Sequence, residues 1–180
     1  MADFGVIQEI AQSGTASDLP SVGRWIVTVL PPGWMFVPDF GIRQMPTHTG
    51  AVTANVCIGN DAIESAEAFA PYIERQKKMI GDHLKEAKLA GPQPAQFAGA
   101  EEAFLLAARH TVGAVGSMLH AQTYIRLGNW VGIITLTVLE SQLKEVRPAY
   151  DAFLKGLRIG PPAAKPATTP NSADLQPEGA

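Results

Sequence analysis

The sequence predicts an α+β fold in which helices pack on one face of an antiparallel sheet. Two amphipathic helical segments, at residues 65–90 and 142–157, stand among several extended segments bounded by turn residues. The segments follow the order β-β-α-β-β-β-β-α, which favours helices segregated to one side of an antiparallel sheet. Because 46% of the 180 residues are hydrophobic and only 17% are charged, the chain can bury the core of a single domain.

The expected domain covers residues 24–159 and is flanked by a segment on each side. Residues 1–23 carry a few apolar residues, enough for one or two helical turns, before a stretch rich in glycine, serine and proline. Residues 160–180 contain five prolines and only one large apolar side chain, Leu175. Since burial cannot offset the ordering entropy of such a segment, we expect a flexible N-terminal extension and a disordered Pro/Ala-rich tail.

Two strands are predicted before the first helix. Residues 25–30 form an extended segment that two prolines and a glycine stop, and residues 51–58 alternate with every second residue apolar. Between them, residues 34–50 are interrupted by Pro38, Pro46 and a glycine between these. The interrupted segment therefore predicts at most a short edge strand or a loop.

Residues 65–90 form the clearest predicted helix. Pro71 is placed near its start, where the missing N–H costs nothing, and Gly91 follows its end. Gln76 lies near the centre of the apolar stripe, where an unpaired amide would cost about 1–3 kcal/mol. The alternative is an amide satisfied by nearby backbone. At 100° per residue the stripe contains Phe69, Ile73, Gln76, Ile80, Leu84 and Ala87.

Extended segments at residues 93–98 and 100–109 are predicted next, followed by a long hairpin. Its strands, residues 118–127 and 130–138, are joined by Gly128 and Asn129, which suit a two-residue loop that needs positive φ. This loop fixes the register, so that Leu127 opposes Trp130 and Leu119 opposes Val138. The face that carries these residues is nearly all apolar and is expected to lie under the helices.

The alternate face of this hairpin mixes apolar side chains with amides, hydroxyls and an imidazole. Transmembrane helices recognise one another by such a combination of close apolar contact and polar hydrogen bonds. Ordinary sheet exposure is the alternative, because threonine and tyrosine favour strands regardless of function. The residues of this face are Met118, His120, Gln122, Tyr124, Arg126, Val131, Ile133, Thr135 and Thr137.

Several classes of function are disfavoured. A formal charge of −3 with dispersed basic residues gives no stripe for nucleic acid, and the lone Cys57 excludes an internal disulfide and a thiolate-rich metal site. The four histidines show no metal-ligand spacing, and the adjacent Glu101 and Glu102 point to opposite faces of a strand. No phosphate-binding glycine loop or nucleophile motif occurs. We therefore expect neither an enzyme nor a bound cofactor or metal.

The chain is also expected to be cytoplasmic, without direct membrane insertion. Its amino terminus lacks a basic region followed by an apolar run. The longest apolar stretch, residues 118–139, is interrupted by Arg126, Gly128 and Asn129.

Scattered positions over residues 25–159 resemble the DcrB-like superfamily (the DUF1795 domain). Within it, the stand-alone cytoplasmic members are the most similar: the Eag-type chaperones encoded beside type VI secretion effectors. The matching positions are Leu30-Pro31 followed by Trp34, Gln76 in the helix, Ala98-Gly99-Ala100-Glu101, Gln122 in its strand, and Thr135-Leu136-Thr137.

The resemblance implies a Mog1/PsbP-like domain that forms a homodimer. It also implies that the protein shields the hydrophobic N-terminal transmembrane helices of a PAAR/Rhs-type effector before that effector is loaded onto the VgrG spike. Glutamines and apolar neighbours would imitate contacts between transmembrane helices. With the mixed face of the hairpin, the resemblance gives an effector-binding set of Gln76, Ile80, Leu84, Met118, Gln122, Tyr124, Val131, Ile133 and Thr135.

Two other functions stay open: a carrier or pocket protein for a small apolar ligand, and a Mog1-like module that docks a soluble protein. One geometric question also stays open. The helix stripe is expected to face the core side of the sheet, whereas Gln122 points to the other side. The helix and Gln122 would then share a groove only if the helix overhangs a sheet edge or a second subunit completes the site.

Overall fold

The computed structural model describes residues 8–9, 19–49, 51–64, 68–84 and 86–161. The predictions for the remainder of residues 1–23 and for residues 162–180 lie outside the described residues. The elements in chain order are β1 (Gln8–Glu9), β2 (Ser21–Val22), β3 (Trp25–Val27), β4 (Val29–Leu30), β5 (Trp34–Val37), β6 (Gly41–Gln44), β7 (Asn55–Ala62), α1 (Phe69–His83), β8 (Lys88–Pro94), β9 (Glu102–Val112), β10 (Gly116–Leu127), β11 (Trp130–Leu139), α2 (Leu143–Gly156) and β12 (Leu157–Ile159).

A seven-stranded antiparallel sheet forms the centre of the molecule, with strand order β5-β6-β7-β11-β10-β9-β8. A small sheet of order β12-β3-β2 and the pair β1-β4 lie beside it. The predicted strand over residues 25–30 is therefore divided between β3 and β4, which pair outside the large sheet. β2 buries Val22 in the core, just before the predicted start of the domain at residue 24.

Two hydrophobic cores lie on the two faces of the large sheet. On one face, Ile134 and Leu136 of β11 join Phe153 of α2 and Trp25 of β3 in the larger core. On the other face, the alternate residues of the β10–β11 hairpin pack against α1. That second core contains Ile63, Phe69, Tyr72, Ile73, Leu106, Tyr124 and Val131.

The predicted class, α+β with an antiparallel sheet and packed helices in a single domain, is confirmed. The distribution of the helices differs from the expectation that both lie on one face. Because successive side chains of a strand point to opposite faces, Val131 in the α1 core and Ile134 in the α2 core place α1 and α2 over opposite faces. Near the β10–β11 turn, the sheet face beneath α1 carries large apolar side chains. A helix must shield them from water, as α2 does for the apolar side chains on the opposite face.

The boundaries of α1 and its neighbours differ from prediction. The helix ends at His83, Leu84 closes it through an N–H that donates to the Ile80 carbonyl at 2.8 Å, and Ala87 lies outside it. Pro71 lies in the first turn, as predicted. Gly91 is part of β8 rather than a helix terminator. Helical periodicity therefore overestimates the length of the helix at its C-terminal end.

Residues 34–44 form a hairpin, β5–β6, although the sequence predicts at most one edge strand over residues 34–50. Pro38 lies in the turn and Pro46 follows the end of β6, so neither interrupts a strand. Gly41 begins β6 with φ 138°, and a Cβ there would overlap the Val56 carbonyl of β7. The expected strand breakers therefore delimit two strands.

The long hairpin is confirmed pair by pair: Leu127 opposes Trp130, Gln122 opposes Thr135 and Leu119 opposes Val138. Gly128 adopts φ 60°, as the two-residue loop requires. Strand β9 runs three residues beyond its predicted end, which brings His110 into the sheet. Within the described residues, no helix is long and apolar enough to cross a membrane.

Candidate functional site

An open groove of about 250 Å³ lies between the C-terminal half of α1 and strands β9 and β10. The helix forms one wall, and two neighbouring strands form the floor, with two apolar residues of β9 beside two polar residues of β10. The groove is lined by Met79, Ile80, His83 and Leu84, by Leu106 and Ala108, and by His120 and Gln122.

The groove exists because α1 contacts the sheet more closely at its start than at its end. Phe69, Tyr72 and Ile73 in the first half are fully buried. The Tyr72 hydroxyl also donates to Asp61 of β7 at 2.8 Å, which attaches this half to the sheet. In the second half Ile80 is only partly buried and Met79 is 47% exposed. The space that the helix leaves there is the groove.

The Gln122 amide on the floor has a defined orientation. The Tyr124 hydroxyl donates to Gln122 Oε1 at 2.5 Å. Burial, and the negative charge of Asp61, raise the pKa of Tyr124, so its hydroxyl keeps the proton that it donates. With its oxygen engaged by Tyr124, the amide directs its N–H groups away from that hydroxyl. The floor therefore offers hydrogen-bond donors to a ligand.

His120, the other polar residue of the floor, belongs to a small cross-strand cluster. Its Nε2 lies 2.9 Å from Nε2 of His110, and its Nδ1 lies 3.1 Å from the Thr137 hydroxyl oxygen. Burial, and to a lesser extent His110, lower the pKa of His120. The neutral imidazole is therefore favoured at neutral pH.

Three of the predicted binding residues, Ile80, Leu84 and Gln122, lie together in the groove. Since α1 covers the face to which Gln122 points, the helix and the amide meet within one subunit. Gln76 lies one helical turn before Ile80 on the same side of α1, half-buried and outside the groove lining.

Met118 and Thr135 lie on the sheet face of Gln122 without lining the groove. Thr135 is the cross-strand partner of Gln122, and Met118 lies earlier on the same strand, β10. Both are half-buried. They extend the same surface beyond the end of α1.

Tyr124 and Val131, which are predicted as contact residues, lie outside the groove lining. They are 2% and 0% exposed beneath α1. Ile133 packs against the same core. These residues lie at the end of the sheet face that α1 covers. Their role is to support the groove floor, as the Tyr124 hydroxyl does for Gln122.

The sequence prediction misses the two β9 residues of the groove and two residues of its helix wall. Leu106 and Ala108 are the cross-strand partners of Gln122 and His120, so the pairing of β9 with β10 would have identified them. That register is hidden in the sequence because Gly113 and Gly116 favour a loop over residues 110–117. Met79 and His83 lie on the flank of the predicted stripe, and only the position of α1 over the sheet brings them to the groove.

Other reactive groups are engaged or shielded. Cys57 opposes Thr135 on the same face, and burial raises the pKa of its thiol. Arg126 pairs with Glu102 at 3.1 Å, and Glu101 accepts the Gly128 N–H at 3.1 Å. Among the residues that the structure describes, no three metal-binding side chains come together.

No family model matches the sequence, and no curated protein matches it. Solved structures that share the fold include the following three. LpqN from Mycobacterium tuberculosis, involved in cell envelope biogenesis, is 14% identical with a TM-score of 0.61 over 76% of this chain and 83% of LpqN. PA94 from Pseudomonas aeruginosa, a protein of unknown function, is 26% identical with a TM-score of 0.56 over 74% and 90% of the two chains.

The third structure is cyanobacterial PsbP (CyanoP) from Synechocystis, which is 15% identical with a TM-score of 0.54 over 84% of this chain and 98% of CyanoP. All three similarities extend over most of both chains. From these likenesses, the chain has a Mog1/PsbP-like fold.

Proposed function

We propose that this protein is a non-enzymatic chaperone for a type VI secretion effector. Its client is the hydrophobic N-terminal region of a PAAR/Rhs-type effector, whose transmembrane helices it shields in the cytoplasm before the effector is loaded onto the VgrG spike. The observation that carries the proposal is the groove beside α1, where apolar side chains lie next to an amide with free donor capacity.

The apolar residues of the groove would supply most of the affinity for the client helix. If about 500 Å² of apolar helix surface leaves water, the gross gain is about 12 kcal/mol before the costs of association and ordering. A polar contact between helices in a membrane contributes only about 0.6 kcal/mol on average. Ile80, Leu84 and Leu106 would therefore set the strength of binding, and Gln122 its register.

The orientation of Gln122 specifies the chemistry of the client. Because the amide presents N–H groups, the bound helix must supply an acceptor at that point. A backbone carbonyl or the hydroxyl oxygen of a serine or threonine satisfies this requirement, and such residues are typical of helix contacts in membranes. A purely aliphatic helix would leave the donor unpaired and would bind less well.

A homodimer extends the proposal to helices longer than the groove of one chain. The polar and apolar surface continues from Gln122 toward Thr135 and Met118, beyond the end of α1. A second subunit facing this surface would enclose a client helix on more than one side.

A pair of methionine variants tests the proposal. Met79 lies in the groove and is 47% exposed, whereas Met45 lies outside the groove lining and is 48% exposed. We expect Met79→Glu to prevent co-purification with an effector fragment that contains the apolar N-terminal segment, because it buries a charge against that segment. Met45→Glu, the matched control, is expected to leave the complex intact. Equal recovery with both variants would contradict the proposal.

The size of the groove also favours the second candidate, a carrier of a small apolar ligand, since about 250 Å³ approaches the volume of small-molecule sites. Native mass spectrometry of the purified protein separates the two functions. A co-purified small molecule that Met79→Glu releases supports the carrier. An unliganded protein that binds the effector segment supports the chaperone.

A further inference from the structure

His110 and His120 meet on the sheet face that carries the groove. His110 lies near the end of β9, and His120 lies on β10 two residues along from Met118, the cross-strand partner of His110. Their Nε2 atoms are 2.9 Å apart, their ring planes differ by 25° and their centroids are 5.0 Å apart. The distance between the centroids is close to the Nε2–Nε2 distance plus the distance from centroid to Nε2 in each ring. The rings therefore face each other nitrogen to nitrogen rather than face to face.

Such a contact requires that one Nε2 carries a hydrogen and the other a lone pair. His120 Nδ1 lies 3.1 Å from the Thr137 hydroxyl oxygen. With its hydrogen on Nδ1, His120 donates to Thr137 and keeps the lone pair on Nε2. A histidine that ligates a metal uses this arrangement, in which a hydrogen bond at the second nitrogen fixes the tautomer and the ring orientation.

The separation of the two Nε2 atoms is also close to that of two ligands of one metal ion. With metal–nitrogen distances of about 2.0–2.1 Å, tetrahedral coordination separates two imidazole nitrogens by roughly 3.3 Å. A small rotation of either side chain accommodates the difference. The ion would then lie between the two nitrogens, to one side of the line that joins them.

We propose that His110 and His120 form a two-imidazole site for a divalent transition-metal ion. When the ion binds, the single hydrogen of the neutral His110 moves from Nε2 to Nδ1 by exchange with solvent, so that no net proton is released. Both Nε2 lone pairs then coordinate the metal. The site links β9 to β10 and places the ion at the end of the groove that His120 lines.

The donor set selects the class of metal. Imidazole nitrogen suits Cu²⁺, Ni²⁺ and Zn²⁺, whereas Mg²⁺ and Ca²⁺ require oxygen ligands. Within the described chain no third protein ligand completes the pair, so water or a donor from a bound partner fills the other positions. Among these ions Cu²⁺ is expected to bind most tightly.

Cu²⁺ alone, titrated into the full chain without an affinity tag, tests the site. We expect one tightly bound equivalent whose electron paramagnetic resonance spectrum shows coupling to two imidazole nitrogens. His110→Gln and His120→Gln should each weaken binding at least tenfold. His48→Gln, a change in an exposed loop, should leave it unchanged.

Wild-type affinity in both pair variants, or equal weakening by His48→Gln, would overturn the proposal. If a pair variant does not fold, as judged by circular dichroism, histidine modification of the wild-type chain decides. Cu²⁺ should then protect His110 and His120 from diethyl pyrocarbonate and leave His48 reactive. Failure to protect the pair would equally overturn it.

Discussion

At the scale of single residues, one amide and the hydroxyl that orients it determine which hydrogen-bonding groups the groove floor presents. Tyr124 is buried beneath α1 and donates to Gln122, so a residue that no ligand can contact determines what the floor offers. From the sequence, Gln122 could be selected because it lies on the mixed face of the hairpin and matches a position of the family that the sequence resembles. Its orientation could not be predicted, because it depends on how deeply α1 buries Tyr124.

Tyr124→Phe is expected to weaken binding of an effector helix by about 1 kcal/mol, the usual net value of one hydrogen bond. Without the donor, the amide can rotate and present either end to the groove. Isothermal titration with an effector fragment measures the loss. In a Gln122→Leu background the same change should have no further effect, and an additive loss would show that Tyr124 acts independently of the amide.

Gln122→Leu itself is expected to preserve the fold and to change which helices bind. Leucine has nearly the volume of glutamine and lies beside Leu106, so the floor becomes apolar without a cavity. Helices with an acceptor should bind less well and purely aliphatic helices better. Binding to a panel of helices tests this, and an unchanged order of preference would remove the amide from the mechanism.

Acidification is expected to destabilise the fold through His120. Its pKa is lowered in the folded chain, so below about pH 6.5 the unfolded state binds more protons and stability falls with pH until the folded imidazole also titrates. His120→Gln should reduce this loss in thermal unfolding between pH 7 and 5. His48→Gln should lose as much stability on acidification as the wild type does. If His120→Gln also loses as much as the wild type, a group other than His120 causes the loss.

At the scale of elements, the β10–β11 hairpin is predictable and its surroundings are less so. A two-residue loop fixes every pair once its position is known, and Gly128 with Asn129 fixes that position. The β5–β6 hairpin escapes prediction because proline and glycine mark turns as readily as they break strands. The sheet face that α1 covers cannot be predicted either. An apolar stripe shows that a helix packs against the sheet, but it does not show against which face.

Gly132→Ala in β11 is expected to destabilise the hairpin by about 1–3 kcal/mol, the usual cost of overpacking. A methyl group there would overlap the rings of Trp25 and Trp130. Gly59→Ala in the adjacent β7 is a matched control, since its nearest neighbour would be Ile133 at an ordinary 3.8 Å. Chemical denaturation of both variants tests the prediction, and equal stabilities would contradict the packing of Trp25 against β11.

At the scale of the whole molecule, two helices on opposite faces cover the sheet to different extents. The α2 face is closed by the small sheet and forms the larger core. The α1 face is closed only in part, because the helix ends before it has covered β9 and β10. A closed core and an open groove, the client site that we propose, thus lie on opposite faces of the same strands.

Site-specific photo-crosslinking tests this division of labour most directly. A photoreactive residue is placed at position 79 in the groove or, as the control, at position 45, and the protein is co-expressed with its effector. We predict crosslinks from position 79 to the apolar N-terminal segment of the effector and none from position 45. An intact complex that crosslinks from position 45, or never from position 79, would contradict the assignment of the groove as the client site.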